Sequence, residues 1–181
     1  MSPDEPGTDD EPGVAPEPKP TEYLLAGDGL FAWQYLQSPS QNHFARVDQD
    51  GNLLVCAGSF SQDAQVIYST GLDPRPSYKT TEQHGTPPQT VDVVVPYDYM
   101  ARMQPDGNFC IYDYDLMKTH DGYTTEDLIS QGGPAQGDLR WQSQTSGKPC
   151  YLIMQDDGNL CIYQGASPSE QGAIVWGSLQ H

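Results

Sequence analysis

The stretch Met103–Asp115, MQPDGNFCIYDYD, decides how the rest of the chain is read. A near-copy, MQDDGNLCIYQG, begins at Met154, and a looser one, VDQDGNLLVCAG, begins at Val47. In each, Asp-Gly sits between two arms of alternating apolar residues, a strong β-hairpin signal. Pro105 refines the turn. Its φ near −65° excludes a type I′ turn and predicts a type I turn over Pro105-Asp106, with Gly107 left-handed in a bulge.

Aligned on the turn, Asp48, Gln104 and Gln155 coincide. So do Asp50, Asp106 and Asp157, then Gly51, Gly107 and Gly158, then Asn52, Asn108 and Asn159. Three of the chain's four asparagines take that one position, which chance does not readily arrange. Each copy closes on an aromatic followed by Ser, directly or one residue later: IYST at Tyr68, LRWQS at Trp141 and IVWGS at Trp176. Three such units predict a pseudo-threefold, all-β architecture. Unequal spacing places insertions near residues 71–95 and 114–138, read as surface loops.

Composition agrees. Among 181 residues are 18 Gly, 16 Pro and 11 Tyr, and no stretch of about ten shows a capped helical apolar stripe. A net charge of −17 argues against nucleic acid or an anionic membrane as the main partner. Residues 1–22 hold seven carboxylates against Lys19 alone, and six of the prolines, so residues 1–21 read as a disordered leader before one domain over 22–181. The leader lacks the basic start and apolar core of a secretory signal, and no membrane span is visible. These features leave the compartment open between cytoplasmic and non-classically secreted, unless a signal was removed.

Strand side chains alternate, so residues two apart share a face. Gln104, Asp106, Asn108, Cys110 and Tyr112 fall at that spacing, as do Gln155, Asp157, Asn159, Cys161 and Tyr163. The other phase, Phe109 and Ile111 or Leu160 and Ile162, reads as core. Carboxylate, amides and phenol together suit a neutral, polyhydroxylated ligand, and the small apolar residue suits its C–H surface. Asp and Asn beside Gly also make good turns on their own. Turn chemistry does not explain the Gln two before Asp or the Tyr four after Asn.

This pattern resembles the carbohydrate site of the bulb-type, monocot mannose-binding lectins, Gln-x-Asp-x-Asn-x-Val-x-Tyr. YLLAGDGL, FARVDQDGNLLV and the closing IVWGS resemble other parts of that domain. The resemblance implies a β-prism II fold, three four-stranded antiparallel sheets around a threefold axis. It implies calcium-independent binding of mannose or mannose-rich glycans, with no cofactor. By position, Asp106 with Asn108 and Asp157 with Asn159 would hold the axial 2-hydroxyl. Gln104 and Gln155 would hold the 3-hydroxyl, and Tyr112 and Tyr163 the 4-hydroxyl. Cys110 and Cys161 replace Val. The first repeat, with Asp48, Asp50, Asn52, Leu54 and Cys56, lacks the amide and phenol and is expected to be degenerate. The resemblance further implies homodimers that exchange a carboxy-terminal strand around Ala173–Ser178.

Cys56, Cys110, Cys150 and Cys161 read as buried thiols or as one disulfide. Cys150 matches a family half-cystine whose partner would stand at Gly107, so it is expected to be free or paired with Cys110. DQDGN fails as an EF-hand loop, the four histidines lack metal spacing, and Asp156-Asp157 would face opposite sides of a strand. A non-enzymatic lectin is the leading expectation. A protein-interaction, defence or toxin module with vestigial sugar sites is the alternative.

Overall fold

The computed structural model describes residues 19–31, 34–60, 64–73, 78–84, 89–95, 98–114 and 138–180. Four short strands come first: β1 (Lys19–Thr21), β2 (Tyr23–Leu24), β3 (Gly29–Phe31) and β4 (Gln34–Gln37). The first hairpin is β5 (His43–Val47) and β6 (Leu53–Ala57), closed by β7 (Gln65–Ser69). A separate antiparallel ribbon follows, β8 (Tyr78–His84) and β9 (Gln89–Val95). The second hairpin is β10 (Asp98–Met103) and β11 (Phe109–Tyr114), closed by β12 (Leu139–Gln142). The third is β13 (Cys150–Met154) and β14 (Leu160–Gln164), closed by β15 (Ile174–Gly177) after a short 3-10 helix, Pro168–Glu170.

Each hairpin with its closing strand gains one strand from β2, β3 and β4, in reverse order. The sheets run β1-β4-β5-β6-β7, β12-β11-β10-β3 and β15-β14-β13-β2. Leu36, Leu30 and Leu24 stand opposite Ala45, Ala101 and Leu152, which are threefold equivalents. A leucine every six residues thus plugs one sheet after another.

The sheets face inward on one core. It takes Val47, Met103 and Met154 from the strands entering the turns, and Leu53, Phe109 and Leu160 from those leaving them. Val55, Ile111 and Ile162 form the next layer. Phe109, Ile111, Leu160 and Ile162 are fully buried, as the alternation predicts. Burying each such side chain stabilises by roughly 1.5–3 kcal/mol. Trp141 and Trp176 meet edge to face, with centroids 5.7 Å apart, and Tyr68 meets Trp176 at 6.1 Å. The closing aromatics therefore cap the core together.

The turns match the reading from Pro105. Gly107 N–H donates to the Gln104 carbonyl, and Gln104 N–H to the Asn108 carbonyl. Gly51, Gly107 and Gly158 have φ of 83°, 90° and 84°. Each glycine also presses on the next unit. A Cβ on Gly51 would lie 2.6 Å from the Tyr99 ring. One on Gly107 would lie 2.6 Å from the Lys148 carbonyl and 3.2 Å from Cys150 Sγ, and one on Gly158 3.0 Å from His43. Tyr99, Cys150 and His43 are equivalent positions, so the three contacts close a ring. Ser40 reinforces the closing seam, donating its N–H and hydroxyl to Asp156 Oδ1 at 2.8 and 2.6 Å.

Two details differ from the sequence expectations. The first sheet has five strands, because Lys19–Thr21, inside the expected leader, pairs in parallel with β4. Pro20 lacks a donor and sits on that outermost strand, where proline is tolerated. The insertion near 71–95 carries the β8–β9 ribbon where only a loop was expected; its Thr and Val residues suit strands. Residues 1–18 of the expected leader, and 115–137 within the insertion near 114–138, lie outside the described residues.

Two glycines separate conformational strain from crowding. Gly27 has φ of 102°, and nothing lies within 4 Å of where its Cβ would stand. Gly27→Ala should therefore cost roughly 1–2 kcal/mol, from strain alone. Gly51→Ala should cost a further 1–3 kcal/mol, roughly, for overpacking against Tyr99. Urea midpoints followed by tryptophan fluorescence measure both.

Candidate functional site

In the second and third repeats the polar stripe runs from the turn along the outward face of β11 and β14. In the third repeat, Cys161 Sγ donates to Gln155 Oε1 at 3.0 Å, and Gln155 Nε2 donates to Tyr163 Oη at 2.9 Å. The Tyr163 ring is stacked on Tyr151, 5.8 Å away at 20°. Asp157 Oδ1 accepts the Asn159 backbone N–H at 2.9 Å. Asn159 Oδ1 accepts from Ser178 Oγ and from Leu179 N–H, at 3.3 and 3.1 Å. These bonds engage both polar atoms of Gln155 and one each of Cys161, Tyr163, Asp157 and Asn159. Left for a ligand are the Tyr163 hydroxyl hydrogen, the second Gln155 N–H, the Asn159 amide NH2 and the outer Asp157 oxygen. That is three donors and an anionic acceptor on one face.

The second repeat repeats the chain of donors. Cys110 Sγ donates to Gln104 Oε1 at 3.4 Å, and Gln104 Nε2 to Tyr112 Oη at 2.7 Å. It differs at the asparagine amide. Asn108 Nδ2 donates to Gln142 Oε1 at 2.8 Å, so a neighbouring side chain already occupies the amide. The equivalent of Gln142 is Gly177, where even a Cβ would lie 3.1 Å from Asn159. The Asn159 amide nitrogen keeps its donors where that of Asn108 is engaged, although Asn159 is the more buried of the two.

The first repeat uses the same positions differently. Asp48 Oδ1 accepts the N–H groups of Asp50 and Asn52, so its carboxylate caps its own turn. Leu54 and Cys56 are buried beneath Tyr35, Phe44 and Phe60, and Tyr35 and Phe60 stack 4.1 Å apart. Aromatic rings take the place that the polar stripe has elsewhere.

All four cysteines are free and buried. Cys150 Sγ stands 3.2 Å from where a Gly107 Cβ would lie, and glycine there offers it no thiol. Burial pushes the Cys110 thiol up, and burial with the nearby Asp157 carboxylate pushes Cys161 to about 11. Hydrogen bonds from Ser40 hold Asp156 below the usual carboxylate range. Asp156 and Asp157 thus serve different partners rather than one bond between them. Among the described residues, no three His, Cys, Asp or Glu side chains converge as a metal site. No helix among the described residues is long and apolar enough to cross a membrane.

No protein-family model and no curated protein matches the chain. Solved structures do match in shape. A monomeric monocot mannose-binding lectin from Gastrodia elata superposes with a TM-score of 0.50 at 16% identity, covering 89% of this chain and 97% of that one. The chain has the bulb-lectin fold. The Marasmius oreades lectin (21% identity, 87% and 89% covered) and the mannose-specific agglutinin of snowdrop, Galanthus nivalis, in complex with methyl-α-D-mannoside (19%, 84% and 100%) score 0.48 and 0.47.

Within this bulb-lectin fold, three features of the site escaped the sequence reading. A hydroxyl latches each motif Asn strand to its closing strand: Thr70, Ser143 and Ser178 accept from the N–H of Leu53, Phe109 and Leu160. The spacing is aromatic-x-Ser/Thr, so Thr70, not Ser69, is the first-repeat member. Gln142 and Gly177, each the residue after a closing Trp, decide whether the motif asparagine amide is engaged within the chain. Tyr151 braces Tyr163, whereas Met100 occupies its place in the second repeat.

The raised thiols give a pH prediction. A folded pKa above the unfolded value of about 9 stabilises the fold fully below pH 9 and ceases to do so as pH rises through about 11. Urea midpoints should fall between pH 9 and 11, and Cys161→Val should flatten the decline. In the native protein at pH 8 all four thiols should resist iodoacetamide; in urea four labels should add.

Proposed function

We propose that this chain is a non-enzymatic lectin that binds mannose or mannose-rich glycans without calcium, chiefly at the third repeat. The observation that carries the reading is that Tyr163, Gln155, Asn159 and Asp157 stand together with the Asn159 amide nitrogen unengaged beside Gly177. The Gastrodia elata lectin, which shares the fold, is mannose-binding. Here the Asp157 carboxylate accepts from a 2-hydroxyl that in turn accepts from the Asn159 amide. Gln155 N–H serves the 3-hydroxyl, and the Tyr163 hydroxyl serves the 4-hydroxyl. An axial 2-hydroxyl reaches the Asp–Asn pair, so mannose is preferred over glucose. The second repeat, with Gln104, Asp106, Asn108, Cys110 and Tyr112, binds more weakly because Gln142 must first release Asn108. The first is silent.

Single shallow sites bind weakly, and useful strength would come from avidity. β15 pairs with β14 of the same chain. Exchange of Ala173–Ser178 between two copies would keep that register in trans, and sedimentation would read the resulting dimer. A protein-interaction or toxin module is the second reading, motivated by the acidic leader and the two insertions.

Titration calorimetry with methyl-α-mannoside tests the proposal. Asp157→Ala should weaken binding about 10–100-fold, as for a lost hydrogen bond to a charge, and Tyr163→Phe roughly 2–10-fold. Gln142→Gly should strengthen the second site. Equal binding by wild type and Asp157→Ala would refute the site assignment, and absence of any sugar binding would favour the interaction module.

A further inference from the structure

The outward face of the third sheet does not end at the site. Cross-strand partners point to the same face, and the row through the site reads Tyr23, Ile153, Cys161, Gly177. Tyr23 and Ile153 line a cleft of about 420 Å³, on the far side of that row from Gly177. Pro39 and Pro168 form further parts of its lining, and Gln37 and Gln41 add amides. The segment bearing Pro39 and Gln41 is fastened to the third turn, because Ser40 donates twice to Asp156, next to Asp157.

We propose that this cleft is an accessory subsite for a second sugar ring of an oligosaccharide whose terminal residue sits at the third site. The proposal rests on the lectin reading of that site. Its chemistry matches a neutral saccharide: an aromatic face and apolar walls contact C–H surface, while the two glutamines donate to and accept from hydroxyls. Among the described residues the lining holds one carboxylate, Glu22, and no Lys or Arg, so it disfavours an anionic ligand. Its size falls in the ordinary range for small-ligand sites. Tyr23 lies two strand spacings, roughly 10 Å, from β14, so a ligand must extend beyond one ring to reach it. The subsite belongs to the third repeat. In the second, the row reads Gly29, Arg102, Cys110, Gln142, with no ring to stack on.

The test is calorimetry with methyl-α-mannoside and an α-linked dimannoside in the Gln104→Ala/Asp106→Ala background, which leaves only the third site. The dimannoside should bind at least about fivefold tighter than the monosaccharide. Tyr23→Ala should abolish that advantage and leave monosaccharide binding unchanged. Gln41→Gly, safe for folding because Gln41 has φ of 59°, should reduce it. Equal affinity for the two sugars, or an advantage that survives both substitutions, overturns the subsite and leaves the lectin reading standing. Binding of neither sugar overturns both.

Discussion

The structure depends on three places where a side chain is forbidden. Each hairpin turn needs a left-handed residue, and each turn then lies flat against the next hairpin, 2.6–3.0 Å from where a methyl would be. Conformation and crowding both select glycine. Because the contacts run from the first unit to the second, the second to the third and the third to the first, they hold three sheets in a closed figure. The core inside has only to fill the space that this closure defines. Its equivalents vary in size accordingly: Leu, Phe and Leu leave the three turns, and Tyr, Trp and Trp cover the axis.

The sites inherit this geometry and then diverge. The backbone gives every repeat the same outward row, so differences in capacity arise from single side chains. Asp48 turns inward to its own backbone, and the first face is filled by rings. Gln142 spans to Asn108, and the second face is partly satisfied from within. Gly177 does neither, and the third face keeps its donors. Cys110 and Cys161 each add a thiol that donates to the glutamine amide oxygen. The donor sequence thiol, amide, phenol is aligned in one direction, and such chains strengthen each member.

Much of this was legible in the sequence. The turn type followed from Pro105 and Gly107, the core phase from Phe109 and Ile111, and the threefold pattern from the asparagines. The free state of Cys150 was one of two alternatives left open by the missing partner at position 107. What was hidden depended on pairing between distant segments. Leu24, Leu30 and Leu36 look like one apolar stretch, yet each joins a different sheet. Ser69 matched the local motif, but the hydroxyl that matters must stand opposite Leu53, which selects Thr70. The roles of Gln142 and Gly177 follow from register across a β-bulge, which shifts partners by one and leaves no local mark.

The third sheet is assembled from opposite ends of the described chain. β2 forms one edge and β15 the other, and most of the domain separates β2 from the hairpin between them. During synthesis, Tyr23 and Leu24 emerge long before their partners, and β14 has an unpaired edge until Ile174–Gly177 follows. Pairing across such separations is slow, because loop closure must precede the contacts that repay it. The third-repeat face is therefore also the last to be built, and any ligand held there would mark a chain that has finished folding.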